Sequence, residues 1–136
     1  MTKLTQPQAI IYVMVMVSAS DRDMGDPELS RIGALVRSKP VFRNFDQSSV
    51  LGVAQACQKW LQKDNGFEEI LAAVAGVLPQ PLRETAYAYA VDIAVSDIQV
   101  DPAELGLLKI LRERFELDRA TVNAIEMAAK IRHRTK

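Results

Sequence analysis

Two short stretches of this 136-residue chain carry oxygen side chains at spacings that could hold a cation. In the first, Asp21, Asp23, Asp26 and Glu28 place four carboxylates within eight residues; in the second, Asp97, Gln99, Asp101 and Glu104 span a similar window. Oxygen-only donor sets suit hard cations such as Ca²⁺ or Mg²⁺, and not zinc. Neither window is an EF-hand, because the loop is too short and its closing Glu comes after seven positions instead of eleven. Asp21, Asp23, Glu28, Asp97, Asp101 and Glu104 are therefore the candidate metal ligands, and the possible cofactor is a divalent cation.

The two windows are copies of one pattern. VSASDRDMGDPELSRIGAL, from Val17 to Leu35, and IAVSDIQVDPAELGLLKIL, from Ile93 to Leu111, share S-D-x-x-Φ-x-x-x-E-L, where Φ is a large apolar residue. Asp21, Met24, Glu28 and Leu29 carry it first; Asp97, Val100, Glu104 and Leu105 carry it again. Much of the pattern has a folding explanation. Asp101-Pro102-Ala103-Glu104 reads as a helix N-cap, a first-turn proline and a Glu that favours the positive helix end. Gly25-Asp26-Pro27-Glu28 reads the same way, with Gly at the cap. Asp21 and Asp97 resist that explanation: each follows the end of an apolar helix, where the dipole disfavours a carboxylate by about 0.3–1 kcal/mol. Either an Asx-type turn or a bound cation would compensate them.

The elements that position these windows read as helices throughout, seven in all, with no sustained strand alternation. The first, about Gln8 to Ser20, is apolar nearly all round and predicts a central, buried helix. The second runs about Asp26 to Ser38 and stops before Pro40. The third follows Asp46, with Asn65-Gly66 as its left-handed end. The fourth carries Phe67 to Leu78, and Pro79 breaks it. Pro81 opens the fifth from a first-turn position, and its stretch Arg83 to Val95 is the alanine-rich counterpart of the first helix. The sixth bears Leu105, Leu108, Leu111 and Phe115; the seventh follows Asp118 into a basic end at Lys130 to Lys136. Apolar pairs five apart, among them Phe45 with Val50 and Leu117 with Val122, have the spacing of hydrophobic staples. The fold class expected is all-α: one domain over 1–136, a compact bundle with two pseudo-symmetric helical hairpins (internal repeats about 9–36 and 85–112).

Composition excludes several classes. Seventeen acids balance seventeen bases, which argues against a nucleic-acid footprint. The lone Cys57 forms no internal disulfide and fits a reducing, cytoplasmic setting. The run Ala9 to Val17 followed by Ser18-Ala19 has the outline of a secretory signal, but its counterpart in mid-chain makes a core helix the expectation. The run is also too short to insert in a membrane. Trp60, Tyr87, Tyr89, Phe115 and the methionines fall on helical stripes and read as core. His133, the only histidine, reads as a solvated terminal residue. Arg37, Lys39 and Arg43 read as a solvated face. No phosphate loop, histidine metal pattern or nucleophile elbow is present.

Paired S-D-x-x-Φ-x-x-x-E-L segments after long apolar helices, in a small all-helical chain, resemble the TerB-like tellurite-resistance family over roughly Gln8 to His133. The resemblance implies seven helices with internal pseudo-symmetry, clustered acids, and a link to metal ions and membrane-associated stress complexes. It implies no enzymatic activity. Asp21, Glu28, Asp97 and Glu104 take the acidic positions; where the family often has Gly after the Asp, this chain has Arg22 and Ile98. The expectation is a cytoplasmic, non-enzymatic stress-response module with a protein partner, whose acidic turns bind a divalent cation or a basic partner surface. Two rivals stand beside it: an interaction domain whose acids only cap helices, and an enzyme using a carboxylate pair such as Asp21 and Asp97.

Overall fold

The computed structural model describes residues 4–18, 26–95 and 102–134. Within them lie seven α-helices and no strand: α1 (Gln6–Ser18), α2 (Asp26–Ser38), α3 (Val50–Leu61), α4 (Gly66–Val77), α5 (Gln80–Val95), α6 (Pro102–Arg114) and α7 (Arg119–Arg132). All-α is thus the observed class. The two hairpins implied by the repeat are α1–α2 and α5–α6, whose joints, 19–25 and 96–101, lie outside the described residues.

α1 is the hub. Every residue from Ala9 to Val17 is buried, none more than 6 % exposed. A helix without a polar face can satisfy its side chains only by being surrounded. α1 packs on α5, α3 and α4, and also touches α2 and α6. α5 is the second central element; it carries Ala86, Tyr87, Ala90, Val91, Ile93 and Ala94 into the same core and supports α6 and α7. Its alanines allow close approach to α1, while Phe42, Ile70, Leu71, Leu111 and Phe115 fill the space around the pair.

Local signals set the helix ends. Asp118 caps α7, its Oδ1 accepting the Thr121 amide at 2.7 Å. Asp46 accepts the Ser48 amide at 3.0 Å, but what it caps is a 3₁₀ turn, Gln47–Ser49, that leads into α3. α4 ends at Leu78, in extended conformation before Pro79. Arg83 then closes that end, donating to the carbonyls of Ala75 at 2.6 Å and Leu78 at 3.0 Å. Pro81 is the second residue of α5, as its first-turn preference requires.

Two expectations need correction. α3 stops at Leu61, and Asn65, although left-handed at φ 61°, stands instead at the entry to α4. The tight path there brings Gly66 so near Trp60 that a Cβ would lie 2.0 Å from the Trp60 carbonyl oxygen, so glycine is required by space and not by φ. Met127 is 57 % exposed, unlike Met14 and Met16, because it lies on the outer face of α7.

Candidate functional site

Glu28 and Glu104 occupy the same register: each is the third residue of its helix, α2 and α6. The two helices that lead into the acidic windows, α1 and α5, pack against each other at the centre of the molecule. Glu28 is half-buried on the first turn of α2, where the helix dipole favours its charge. Asp21, Asp23, Asp97 and Asp101 lie outside the described residues, as do the side chains of Asp26 and Glu104. Among the described residues, no group of three or more potential metal-ligating side chains converges.

One described atom at the edge of the first window is unusual. Ser18 Oγ, at the end of α1, is buried and has no hydrogen-bond partner among the described residues. A buried hydroxyl left without a partner costs about 1–3 kcal/mol, so such atoms call for an explanation. An oxygen three residues before Asp21 is also the donor type that the acidic window offers a hard cation. The donor set present in sequence therefore fits Ca²⁺ or Mg²⁺ chemically.

A second polar assembly lies among the described residues, and no short motif announces it. Tyr87, fully buried at its ring, donates its hydroxyl to Glu126 Oε2 at 2.5 Å, and Arg112 donates to both, at 3.0 and 3.1 Å. Burial, reinforced by the Glu126 carboxylate, pushes the Tyr87 phenol up to about 12. Nearby on α5, Asp92 Oδ1 receives Arg132 at 2.6 Å and lies 3.4 Å from His133 Nε2. His133 is exposed, as its terminal position predicts, and its approach to Asp92 spans 41 positions, beyond the reach of any sequence motif.

Between α5, α6 and α7 lies an open cleft of about 630 Å³ lined by Val91, Val95 and Leu108 and by Arg112, Glu126, Lys130, His133 and Arg134. Glu126 and Lys130, four apart on α7, line it together, with Arg134 just beyond the helix end. A second, shallow groove of about 320 Å³ includes Arg37 with Leu29, Gln47 and Ser48; Lys39 and Arg43 do not line it. Trp60 is half-buried and donates its indole N–H to Glu69 at 2.8 Å. Cys57 is buried, and burial pushes its thiol up to about 12, so it is an inert core residue.

An all-helical bundle built on a fully buried first helix, with acidic motifs in matching register after its two central helices, defines the class. The family model described as "Tellurite resistance protein TerB" matches residues 7–127, and the chain belongs to that family. Neither curated proteins nor solved structures gave a significant match. Among the described residues, no helix is long and apolar enough to cross a membrane.

Proposed function

We propose that the chain is a non-enzymatic stress-response module whose acidic interhelical windows bind a divalent cation. The observation that carries the reading is register: the motif follows α1 and α5, which pack together, and delivers Glu28 and Glu104 to the third position of α2 and α6. Asp21, Asp23, Asp97 and Asp101 would supply further carboxylate oxygens, with the buried Ser18 hydroxyl, unpartnered among the described residues, adjoining the first window. When bound, the cation would supply charge compensation and would rigidify the joints, presenting a surface to a protein partner in a stress complex. A non-enzymatic role is supported by the only thiol, which is buried with its pKa pushed up to about 12 and so is a poor nucleophile.

A second reading has a specific observation in its favour. Asp46 and Asp118 both act here as ordinary N-caps, with no cation needed to explain either. On that reading, Asp101 caps α6, and the module is an interaction domain without metal. Calorimetric titration of the full chain with CaCl₂ and with MgCl₂ separates the two. Saturable binding that is lost in the Asp21→Asn, Asp97→Asn double variant supports the cation site. No heat of binding with either salt refutes it and leaves the capping reading.

A further inference from the structure

The cleft between α5, α6 and α7 lies among described residues and plays no part in the acidic-window reading. Its floor is apolar: Val91 and Leu108 are 3 % and 5 % exposed, and Val95 adjoins them half-buried. Among the described residues its rim is cationic, with Arg112, Lys130 and Arg134 against the carboxylate of Glu126. Glu126 is already satisfied by Arg112 and the Tyr87 hydroxyl. His133 is engaged by Asp92. Among the described residues, no carboxylate pairs with Lys130 or Arg134, which stand as two exposed cations beside an apolar floor, in a protein whose net charge is zero. Lys130 also suits the negative end of the α7 dipole, but that preference does not account for the concave apolar surface below it.

We propose that this cleft binds a single-chain carboxylate amphiphile of the fatty-acid type, with its head at Lys130 and Arg134 and its tail over Val91, Val95 and Leu108. The volume lies within the range of about 300–1,000 Å³ that small-molecule sites occupy. An arginine fork matches the planar carboxylate, and the lysine adds a point charge. A monoanion also meets less repulsion from Glu126 than a doubly charged phosphate monoester would. Met127 and Ile131, each following a cleft residue on α7 and each more than half exposed, make an anionic bilayer the necessary control.

The test is calorimetric titration of the full chain with decanoate below its micellar concentration, beside decanol, acetate and phosphatidylglycerol vesicles. Saturable decanoate binding is expected, with decanol weaker and acetate silent, since head and tail must both contribute. Methyl resonances of Val91, Val95 and Leu108 should shift with the same midpoint. The Lys130→Gln, Arg134→Gln double variant changes only exposed side chains; it should keep the wild-type melting temperature and bind decanoate about tenfold or more weakly. Absence of decanoate binding, binding undiminished in a folded double variant, or association with vesicles but not with monomeric decanoate would each overturn the proposal.

Discussion

Tyr87 is the residue whose environment differs most from what its place in the sequence suggests. Its helical spacing predicts a core aromatic, and the ring is indeed fully buried. Its hydroxyl, however, joins α5 to α6 and α7 through Arg112 and Glu126, at 25 and 39 positions' distance. Contacts of that separation leave no local pattern to read, and the same holds for Asp92 with Arg132 and His133. Tyr87→Phe should lower stability by about 1 kcal/mol, since the Arg112–Glu126 pair survives it. The pH dependence has a definite sign. The folded state holds the phenolic proton more tightly than the unfolded chain, so this stabilisation is intact below 10.0 and is lost as pH rises toward about 12. Burial raises Tyr12 and Tyr89 too, so the comparison must be between variants. Urea melts across that window should show the wild type losing more stability than Tyr87→Phe; equal losses would mean that the Tyr87 proton plays no part. Asp46 and Asp118 act at the opposite end. Hydrogen bonds from Ser48 and Thr121 hold both carboxyls below the usual range, so their contribution is present above it and fades as pH falls through the folded values.

Helix boundaries were the most legible feature of the chain wherever a local chemical signal sets them. Asp118, Pro79 with Pro81, and the stop before Pro40 act through the chain's own neighbouring atoms, and all three fall where the sequence places them. Asn65 was misread because its left-handed conformation has two uses, closing one helix or opening the next, and the choice depends on Gly66 meeting the Trp60 carbonyl. The end of α6 shows the reverse case, a left-handed residue that the sequence does not announce. Glu116, at φ 55°, takes the position usually held by glycine, with the Leu117 amide donating to Arg112 and the Glu116 amide donating to Glu113. A non-glycine residue in that conformation costs about 1–2 kcal/mol, and glycine's extra freedom in the unfolded chain returns part of it. Glu116→Gly should therefore raise stability by about 0.5–1 kcal/mol in a denaturant melt. A loss would show that the Glu116 side chain contributes more than its backbone strain costs.

At the scale of the whole molecule, the all-round apolar character of α1 did foretell its central burial, because no surface position could accept such a helix. Val17 is completely buried, so Val17→Asp should abolish cooperative unfolding. A folded, soluble Val17→Asp protein with native helicity would contradict the central role of α1. The α5–α6–α7 cleft was not legible, since it exists only where three helices meet and its α7 stripe reads alone as a solvated basic end. The repeated acidic motif was legible as a pattern, and the matching register of Glu28 and Glu104 agrees with it. Its chemistry was not, because a cap, an Asx turn and a cation ligand all require the same aspartate.

The most direct measurement of that chemistry is the melting temperature of Asp21→Asn and Asp97→Asn, in chelator and in saturating Ca²⁺ or Mg²⁺. Asparagine keeps the acceptor that a turn needs and removes the charge that a cation needs. Ligand linkage is worth about 2.7 kcal/mol at a hundredfold excess over Kd, enough to shift a melt clearly. In chelator the variants should match or exceed the wild type, because a negative charge after a helix C-terminus is unfavourable when uncompensated. In saturating cation the wild type should rise above both. Variants that melt with the wild type in both conditions would show that Asp21 and Asp97 form turns and bind nothing.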